Sequence, residues 1–307
     1  MVRLSPGETW AQLRSRPEVW LPLAANALDR HGMRLDPNAF LGLGGSYPVV
    51  ISGELVVKIF GFAGEWLATW TNERIAHERL SLDEHILAPR LLGAGELVPG
   101  QEQPLPFLIL TRIPGQSWCD VSLSFAERFA IAAELGQQLR LVHALPCQGL
   151  PDIDAWLIGS VGDGARQGAF PPELAESVDA WLETVHVAPP VFVHSDLFVR
   201  HPFVLVGHLT GIIDWGDAMA ADPHVEHGKV HLDVFEGDKR LLRGFLDAYD
   251  WPVDADFPRR CLAMALRRHV QILGQHGGGD VFYRVPELIA GKRIANLDEL
   301  ADELFGI

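Results

Sequence analysis

Apolar and polar positions follow a β-type pattern in the first third of the chain. The runs 49–51 and 55–60 are rich in β-branched residues and flank a Ser-Gly-Glu turn, so they predict a β-hairpin. Residues 106–113 form a continuous apolar run that ends at Pro114 and Gly115, which is typical of a buried strand. Together these runs predict a small antiparallel sheet.

Apolar residues recur at helical spacing on either side of the hairpin. Residues 8–32 predict one or two short helices, broken by Pro17 and Pro22. Residues 66–81 predict a further helix after the hairpin. The first part of the chain is therefore expected to combine a sheet with a few helices.

The second part of the chain is predicted to be mainly helical. Ser124 and Glu127 form a capping-box pattern, which predicts that a helix begins there. Residues 150–171 are rich in Gly, Asp and Pro and predict a loop, whereas helical spacing returns from residue 238 onward. Only short β-type runs lie between residues 190 and 216. A β-rich part followed by a helix-rich part indicates an α+β fold rather than repeated βαβ units.

Composition narrows the classes of partner. The chain has 307 residues, of which 48% are hydrophobic, so it is long enough for a two-lobed enzyme. The net charge of −15 argues against nucleic-acid and anionic-membrane partners and favours cationic ligands, although acidic residues also serve solubility alone. Three separated cysteines, with no apolar leader or membrane-length run, predict a soluble cytoplasmic protein. No pattern fixes the oligomeric state.

Two aspartates stand where phosphoryl transfer needs carboxylates. Asp196 lies in the segment His-Ser-Asp-Leu, a polar His201 follows five positions later, and Asp214 comes at the end of an apolar strand. Kinases use a loop Asp to receive the proton of the acceptor hydroxyl, and further oxygen ligands to hold the cations that bridge the phosphates. The spacing therefore predicts Asp196 as the catalytic base and Asp214 as a metal ligand.

A lysine in an apolar strand supplies a second indication. Lys58 is one of only four lysines, and a charge in such a strand is costly unless it is paired. Kinases pair this lysine with nucleotide phosphates and with a helix glutamate. Glu73 is the candidate partner and Glu78 its competitor; an edge-strand lysine reaching water is the structural alternative.

A glycine-rich loop precedes this strand. Gly44, Gly45 and Ser46 can place backbone N–H groups over phosphates. A plain hairpin turn would use the same residues, so the loop predicts a nucleotide site only in combination with Lys58.

Taken in order, these motifs resemble the aminoglycoside phosphotransferase family, whose relatives include choline and fructosamine kinases of the protein-kinase-like fold. The matches comprise the glycine loop, Lys58, Glu73, the segments 87–92 and 135–145, the segment 194–197 and the segment 211–218. The resemblance covers nearly the whole chain. It implies a bilobal fold with a small antiparallel β-sheet N-lobe, residues 1–113, and a mainly helical C-lobe, residues 114–307.

The resemblance also implies roles for single residues. Asp196 would be the base, Asp214 the principal magnesium ligand, and Lys58 the ligand of the α- and β-phosphates of ATP or GTP. Thr111 and Ile113 would offer hinge backbone groups to the purine. The reaction implied is magnesium-dependent transfer of the γ-phosphoryl group to an alcohol group of a small acceptor, as in antibiotic resistance.

His201 departs from the family pattern, which usually has Asn at this position. Imidazole ligates metals but suits softer ions than magnesium. His201 is therefore expected to ligate the second metal directly, to act through water, or to contact phosphate when protonated. It is also the one feature that favours a non-catalytic nucleotide-binding pseudokinase.

The acceptor is left open by the sequence. Acidic composition favours a cation such as an aminoglycoside, while choline-like, sugar and amino-sugar acceptors remain alternatives. Acidic residues after the metal loop predict either an acceptor cleft or a solvated helix start; these are Asp233, Glu236 and Asp238. A metal-dependent hydrolase is the alternative from another class, because His227 and His231 could share a helix face as zinc ligands do; His224 and Glu226 lie close to them in the sequence.

Overall fold

The chain folds into two compact units. The computed structural model describes residues 9–42, 45–62, 64–100, 103–153, 160–167, 170–276 and 285–307. The first unit comprises Met1–Pro114 and Gly211–Gly216, and the second comprises Gly115–Thr210 and Asp217–Ile307. The six residues Gly211–Gly216, which the sequence pattern grouped with the second lobe, therefore belong with the first unit.

The first unit is a sheet with helices. Its elements are α1 (Trp10–Arg14), α2 (Pro17–Asp29), β1 (Phe40–Gly42), β2 (Val49–Ser52), β3 (Leu55–Ile59), α3 (Trp66–Leu80), β4 (Leu91–Glu96) and β5 (Pro106–Thr111). The strands form one antiparallel sheet in the order β1-β2-β3-β5-β4. The predicted hairpin, the buried strand and the helix near residues 66–81 are all confirmed.

The alternation of side chains along β3 decides what each face of the sheet meets. Val57 and Ile59 pack in a core with Trp20 of α2. Phe60, directly after the strand, packs in a second cluster that includes partly buried tryptophans of α3. Because successive side chains of a strand point to opposite faces, Lys58 shares the face that Phe60 occupies. A charged side chain is thus directed toward α3.

One predicted helix break is wrong. Pro17 begins α2, where a missing N–H costs nothing. Pro22 lies inside the same helix and does not end it. Its ring is on the exposed side, whereas Trp20 and Leu28 are fully buried against the sheet. Packing of the buried face therefore outweighs the loss of one backbone hydrogen bond.

The second unit is mainly helical, as predicted. Its helices are α4 (Phe125–His143), α5 (Val161–Gln167), α6 (Pro172–Ala175), α7 (Val178–Leu182), α8 (His224–Lys229), α9 (Lys239–Tyr249), α10 (Phe257–His276), α11 (Val285–Leu288) and α12 (Leu297–Phe305). Its strands are β6 (Gln116–Ser117), β7 (Val191–Val193), β8 (Pro202–Leu205), β9 (His208–Ile212) and β10 (Met219–Ala221), and the last residues of β9 already belong to the first unit. The α+β prediction is confirmed.

The capping box at the start of α4 is present in both directions. The Ser124 hydroxyl accepts from the Glu127 N–H, and the Glu127 carboxylate accepts from the Ser124 N–H at 2.8 Å.

Among the helices that the structure describes, none is both long and apolar enough to cross a membrane.

The prediction of a loop for residues 150–171 is wrong in part, because α5 lies within it. The carboxylate of Asp179, a residue of α7, accepts from the Gly162 N–H and from the Ser160 hydroxyl, each at 2.8 Å. Val161 and Ala165 are buried. A distant side chain thus caps a helix that local propensity does not predict.

Candidate functional site

One lysine in the first unit holds two carboxylates. Lys58 Nζ lies 2.7 Å from the nearer carboxylate oxygen of Glu73 and 2.8 Å from Oδ1 of Asp214. The three residues come from β3, from α3 and from the segment Gly211–Gly216, and 156 positions separate Lys58 from Asp214. The fold therefore brings together three residues that the sequence had indicated as site candidates.

The structure distinguishes the two glutamates of α3. Glu73 is 1% exposed and faces the lysine, whereas Glu78 pairs with Arg74 nearer the surface. Next to Glu73, the Asn72 side-chain amide donates to the carbonyl of Gly216 at 2.6 Å. A Cβ at position 216 would lie 3.2 Å from a Glu73 carboxylate oxygen. Helix α3 is thus packed closely against the turn that contains Asp214.

The charge balance around Lys58 keeps its ammonium protonated. Burial lowers the pKa of Lys58, but the neighbouring carboxylates of Asp214 and Glu73 outweigh that effect and raise the pKa above its usual value. One ammonium faces two carboxylates in this cluster.

Asp214 occupies a strained turn. Its φ is 65°, in the left-handed region that few residues other than glycine adopt. The buried Trp215 secures this turn, because its indole N–H donates to the Ile212 carbonyl at 2.9 Å. The Asp214 side chain is 40% exposed. Its carboxylate is therefore held at one oxygen by Lys58 while remaining accessible to a ligand.

The predicted phosphate loop is described in part. Gly44 lies outside the described residues. The Ser46 carbonyl accepts from the Trp10 indole at 3.0 Å, and the Gly45 carbonyl accepts from the Arg14 guanidinium. Two side chains of helix α1 thus donate hydrogen bonds to carbonyl oxygens of the loop.

The hinge residues are engaged within the first unit. The Thr111 N–H donates to the Arg90 carbonyl at 3.0 Å, and its hydroxyl accepts from the Arg90 N–H at 2.8 Å. A purine therefore cannot receive a hydrogen bond from that N–H without breaking the existing one. The Ile113 side chain packs where a Cβ of Gly211 would stand, at 2.7 Å.

In the second unit, a buried glutamate fixes the loop that carries Asp196. The Glu226 carboxylate accepts from the N–H of His194 at 2.5 Å and from that of Ser195 at 3.2 Å. Ser195 is left-handed, with φ of 67°. Charge-assisted bonds to two successive N–H groups stabilise this strained turn. No motif in the sequence indicates this role of Glu226, which comes from the structure.

Asp196 lies among charged neighbours. Burial raises its pKa to about 6, against the lowering effect of the Lys229 ammonium. Its own N–H donates to His194 Nδ1 at 3.3 Å. The carboxyl of Asp196 is thus more basic than an ordinary surface aspartate, as a proton acceptor near neutral pH requires.

His201 is fastened to the same loop. Its Nδ1 donates to the Asp196 carbonyl at 2.7 Å, and its ring stands edge-on to that of Phe198. Donation from Nδ1 leaves Nε2 as the lone-pair nitrogen of the neutral ring. The imidazole therefore helps to order the loop that carries Asp196.

Two cations beside Asp196 were not indicated by the sequence analysis. Lys229 Nζ lies 3.6 Å from Asp196 Oδ1 and 2.7 Å from Asp233 Oδ2. Arg268 of α10 donates to the Ser195 hydroxyl at 3.2 Å and lies 3.4 Å from the carboxylate of Asp217. Unlike Lys58, Lys229 lies among polar residues in the sequence, so no local pattern indicated it.

The acidic residues that follow α8 have structural partners. Asp233 pairs with Lys229, and Asp238 caps α9 through the Arg240 N–H at 2.9 Å. Glu236 lies 3.9 Å from Arg128. Each of the three carboxylates therefore has a partner within the protein, without a bound acceptor molecule.

The three histidines of the hydrolase alternative serve packing. His224 Nδ1 donates to Asp222 at 2.6 Å, and His231 Nε2 donates to the Leu304 carbonyl at 2.8 Å. His227 is enclosed by aromatic rings, with the ring of Trp251 at 4.4 Å. In the described part of the chain, no group of three or more His, Cys, Asp or Glu side chains is arranged to hold a metal alone.

The residues present fit a magnesium ion that arrives with a nucleotide. Magnesium takes hard oxygen ligands and receives most of them from phosphates and water, so one or two carboxylates suffice. Asp214 offers a carboxylate on a side chain that is partly exposed. His201 fits less well, because imidazole suits softer ions.

Comparisons with known proteins find one matching family profile and several solved structures of similar fold. The sequence profile described as the phosphotransferase enzyme family (APH) matches residues 46–262. A GDP complex of aminoglycoside 2′-phosphotransferase-IIIa is 15% identical with a TM-score of 0.62, over 92% of this chain and 95% of that chain. Macrolide 2′-phosphotransferase MphH from Brachybacterium faecium is 18% identical with a TM-score of 0.59, over 92% and 97%.

A third solved structure is the streptomycin–ATP ternary complex of APH(2″)-IIa. It is 15% identical with a TM-score of 0.58, over 99% of this chain and 100% of that chain. At such identities the likeness shows the fold alone. The predicted protein-kinase-like α+β fold is thereby confirmed.

Proposed function

Because the chain belongs to the phosphotransferase enzyme family, we propose that it transfers the γ-phosphoryl group of ATP or GTP to a hydroxyl group of a small, polar, cationic acceptor. Membership of the family makes the chain a phosphotransferase. The donor, the acceptor and the roles of the single residues are the proposed part.

The ion pairs of Lys58 are the observation that carries the proposal. A buried lysine that bridges a helix glutamate and a strand-end aspartate is the arrangement by which kinases hold nucleotide phosphates. Glu73 orients the ammonium toward the phosphates, and Asp214 holds magnesium. Bound there, magnesium offsets the charge on the phosphate oxygens.

The proposed step needs one base. Asp196 accepts the proton of the acceptor hydroxyl while the acceptor oxygen forms a bond to the γ-phosphorus. The bond between that phosphorus and the β–γ bridging oxygen breaks, and the nucleoside diphosphate leaves with the electron pair. A pKa of about 6 keeps Asp196 largely deprotonated at neutral pH and still basic enough to receive the proton.

Charge supports a cationic acceptor. The net charge of −15 raises the local concentration of cations. Relatives of the same fold were solved with GDP or with ATP and streptomycin, which supports a nucleotide donor and an antibiotic-like acceptor. Choline-like, sugar and amino-sugar hydroxyls are the alternative acceptors.

A coupled assay of ADP and GDP release with magnesium tests the proposal. The panel contains aminoglycosides, macrolides, amino alcohols and neutral sugars. We expect release to depend on an acceptor and to fall about 100-fold or more in Asp196→Asn, the factor that a general base supplies. Asp247→Asn, an exposed aspartate of α9, is the matched control and should retain wild-type turnover.

Two outcomes would contradict the proposal. Full acceptor-dependent turnover in Asp196→Asn would remove Asp196 as the base. Tight nucleotide binding without transfer to any acceptor would instead identify a pseudokinase.

A further inference from the structure

A buried ammonium lies beside the proposed base. Lys229 is the last residue of α8 and is 1% exposed. Its Nζ lies 2.7 Å from Asp233 Oδ2 and 3.6 Å from Asp196 Oδ1. It also stands 5.5 Å from the centre of the Phe198 ring, on the same loop as Asp196. The ammonium therefore contacts that loop through both charge and an aromatic face.

Local structure directs Lys229 to this place. A π-helical turn, Val230–Val234, follows α8 directly and contains Asp233. Such turns are rare and are found often at functional sites. Because residues four apart lie on one helix face, Asp233 faces the same side as Lys229. The pair is thus set by one helix and presented to the loop of Asp196.

The contact between Asp233 and Lys229 has a chemical consequence. A buried ammonium must be paired, and one carboxylate is enough to pair it. With Asp233 in contact, Lys229 stays paired whether Asp196 is ionised or has taken the acceptor proton. The cation can therefore hold Asp196 before the transfer without being left unpaired after it.

We propose that Lys229 is a positioning residue for phosphoryl transfer, which holds the Asp196 carboxylate through Oδ1 and is itself held by Asp233. This inference rests on the proposed function of Asp196. Lys229 does not bind the nucleotide in this scheme. Its loss should therefore slow transfer without weakening nucleotide binding.

Lys229→Met tests the inference. In a single-turnover assay with enzyme in excess, we expect the transfer rate to fall about 10- to 100-fold, part of the factor that a general base supplies. The dissociation constant of the nucleotide should not change. Lys239→Met is the matched control, because Lys239 lies on helix α9 and its ammonium donates to the Asp302 carbonyl at 3.3 Å; its transfer rate should equal that of the wild type.

A double-mutant cycle separates positioning from general damage. In an Asp196→Asn background, Lys229→Met should cause no further loss, because the group that it positions no longer acts as a base. Equal losses in both backgrounds would overturn the inference and indicate a purely structural role. A wild-type rate in Lys229→Met would overturn it as well.

Folding and the underlying proposal are controlled separately. If Lys229→Met does not fold, Lys229→Met with Asp233→Leu also removes the carboxylate that the ammonium contacts most closely, and the same losses are expected. If Asp196→Asn alone keeps wild-type turnover, the proposed function fails. If Asp196→Asn is impaired and the Lys229 variants are not, only the positioning role fails.

Discussion

Two of the four lysines in the chain are buried, and each lies near two carboxylates. Lys58 meets Glu73 and Asp214, whereas Lys229 meets Asp196 and Asp233. An ammonium inside a protein requires such partners, because its desolvation is costly. A rare lysine in an apolar strand indicates Lys58 from the sequence, whereas Lys229 lies among polar residues and is recognised only in the fold.

Removal of the buried lysine should cost stability. In Lys58→Met, the buried carboxylate of Glu73 loses its ammonium, and breaking such a buried pair costs about 3 to 5 kcal/mol. We expect a matching drop in the free energy of unfolding, measured by urea denaturation. Phosphoryl transfer should fall as well, since the phosphates lose their cation.

Two variants control this prediction. Adding Glu73→Gln to Lys58→Met should recover part of the lost stability but none of the activity. Arg74→Met removes the partially exposed pair with Glu78 and should cost less than about 1 kcal/mol. An equal loss of unfolding free energy in Lys58→Met and Arg74→Met would show that the buried pair stabilises the fold no more than the exposed pair does.

At the scale of elements, α8 shows how packing overrides composition. All six of its residues are buried, although His224, Glu226, His227 and Lys229 are polar or charged. Their burial depends on partners far away in sequence, such as the backbone N–H groups that Glu226 accepts. Such a helix resembles a surface segment in sequence and supports the loop that carries Asp196 only once the chain has folded.

Close approach of α4 to α9 gives a second prediction. A Cβ at Gly136 would lie 2.2 Å from the Phe245 carbonyl oxygen. Because that oxygen is a backbone atom, it cannot move aside by a change of rotamer as a side chain can. We expect Gly136→Ala to lower the free energy of unfolding by about 3 kcal/mol, despite the better helix propensity of Ala. Gln137→Ala, on the exposed side of the same helix, is the control and should be near neutral. A stabilised Gly136→Ala would contradict the packing.

At the scale of the whole molecule, buried histidines should make stability depend on pH. Burial lowers the pKa of His231 to about 4, and burial also lowers the pKa of His227 well below its usual value. In the unfolded chain both pKa values return to about 6.5. The unfolded state therefore binds more protons below pH 6.5, so stability is fully present above that pH and is lost as the pH falls toward 4.

The expected loss can be measured by urea denaturation. Between pH 7.5 and pH 5, His231 alone should lower the free energy of unfolding by about 2 kcal/mol. His227→Leu should flatten the pH dependence and raise stability, since neither ring nitrogen has a hydrogen-bond partner. His186→Gln, an exposed position, should leave the pH dependence unchanged. An unchanged slope in His227→Leu would contradict this account.

The sequence by itself determined the elements whose signals are local. The hairpin of β2 and β3, the helix α3 and the capping box of α4 depend on neighbours within a few positions, so pattern and propensity suffice to predict them. The family resemblance was likewise readable, because ordered motifs are a property of the chain. It indicated Lys58, Glu73, Asp196 and Asp214 before any contact was known.

Only the tertiary structure decided which charges meet. It chose Glu73 over Glu78, capped α5 through Asp179, and placed Lys229 beside Asp196. Each of these contacts joins residues that propensity treats as independent. The energy of a buried charge depends on the partners that surround it in space, and no local pattern records those partners.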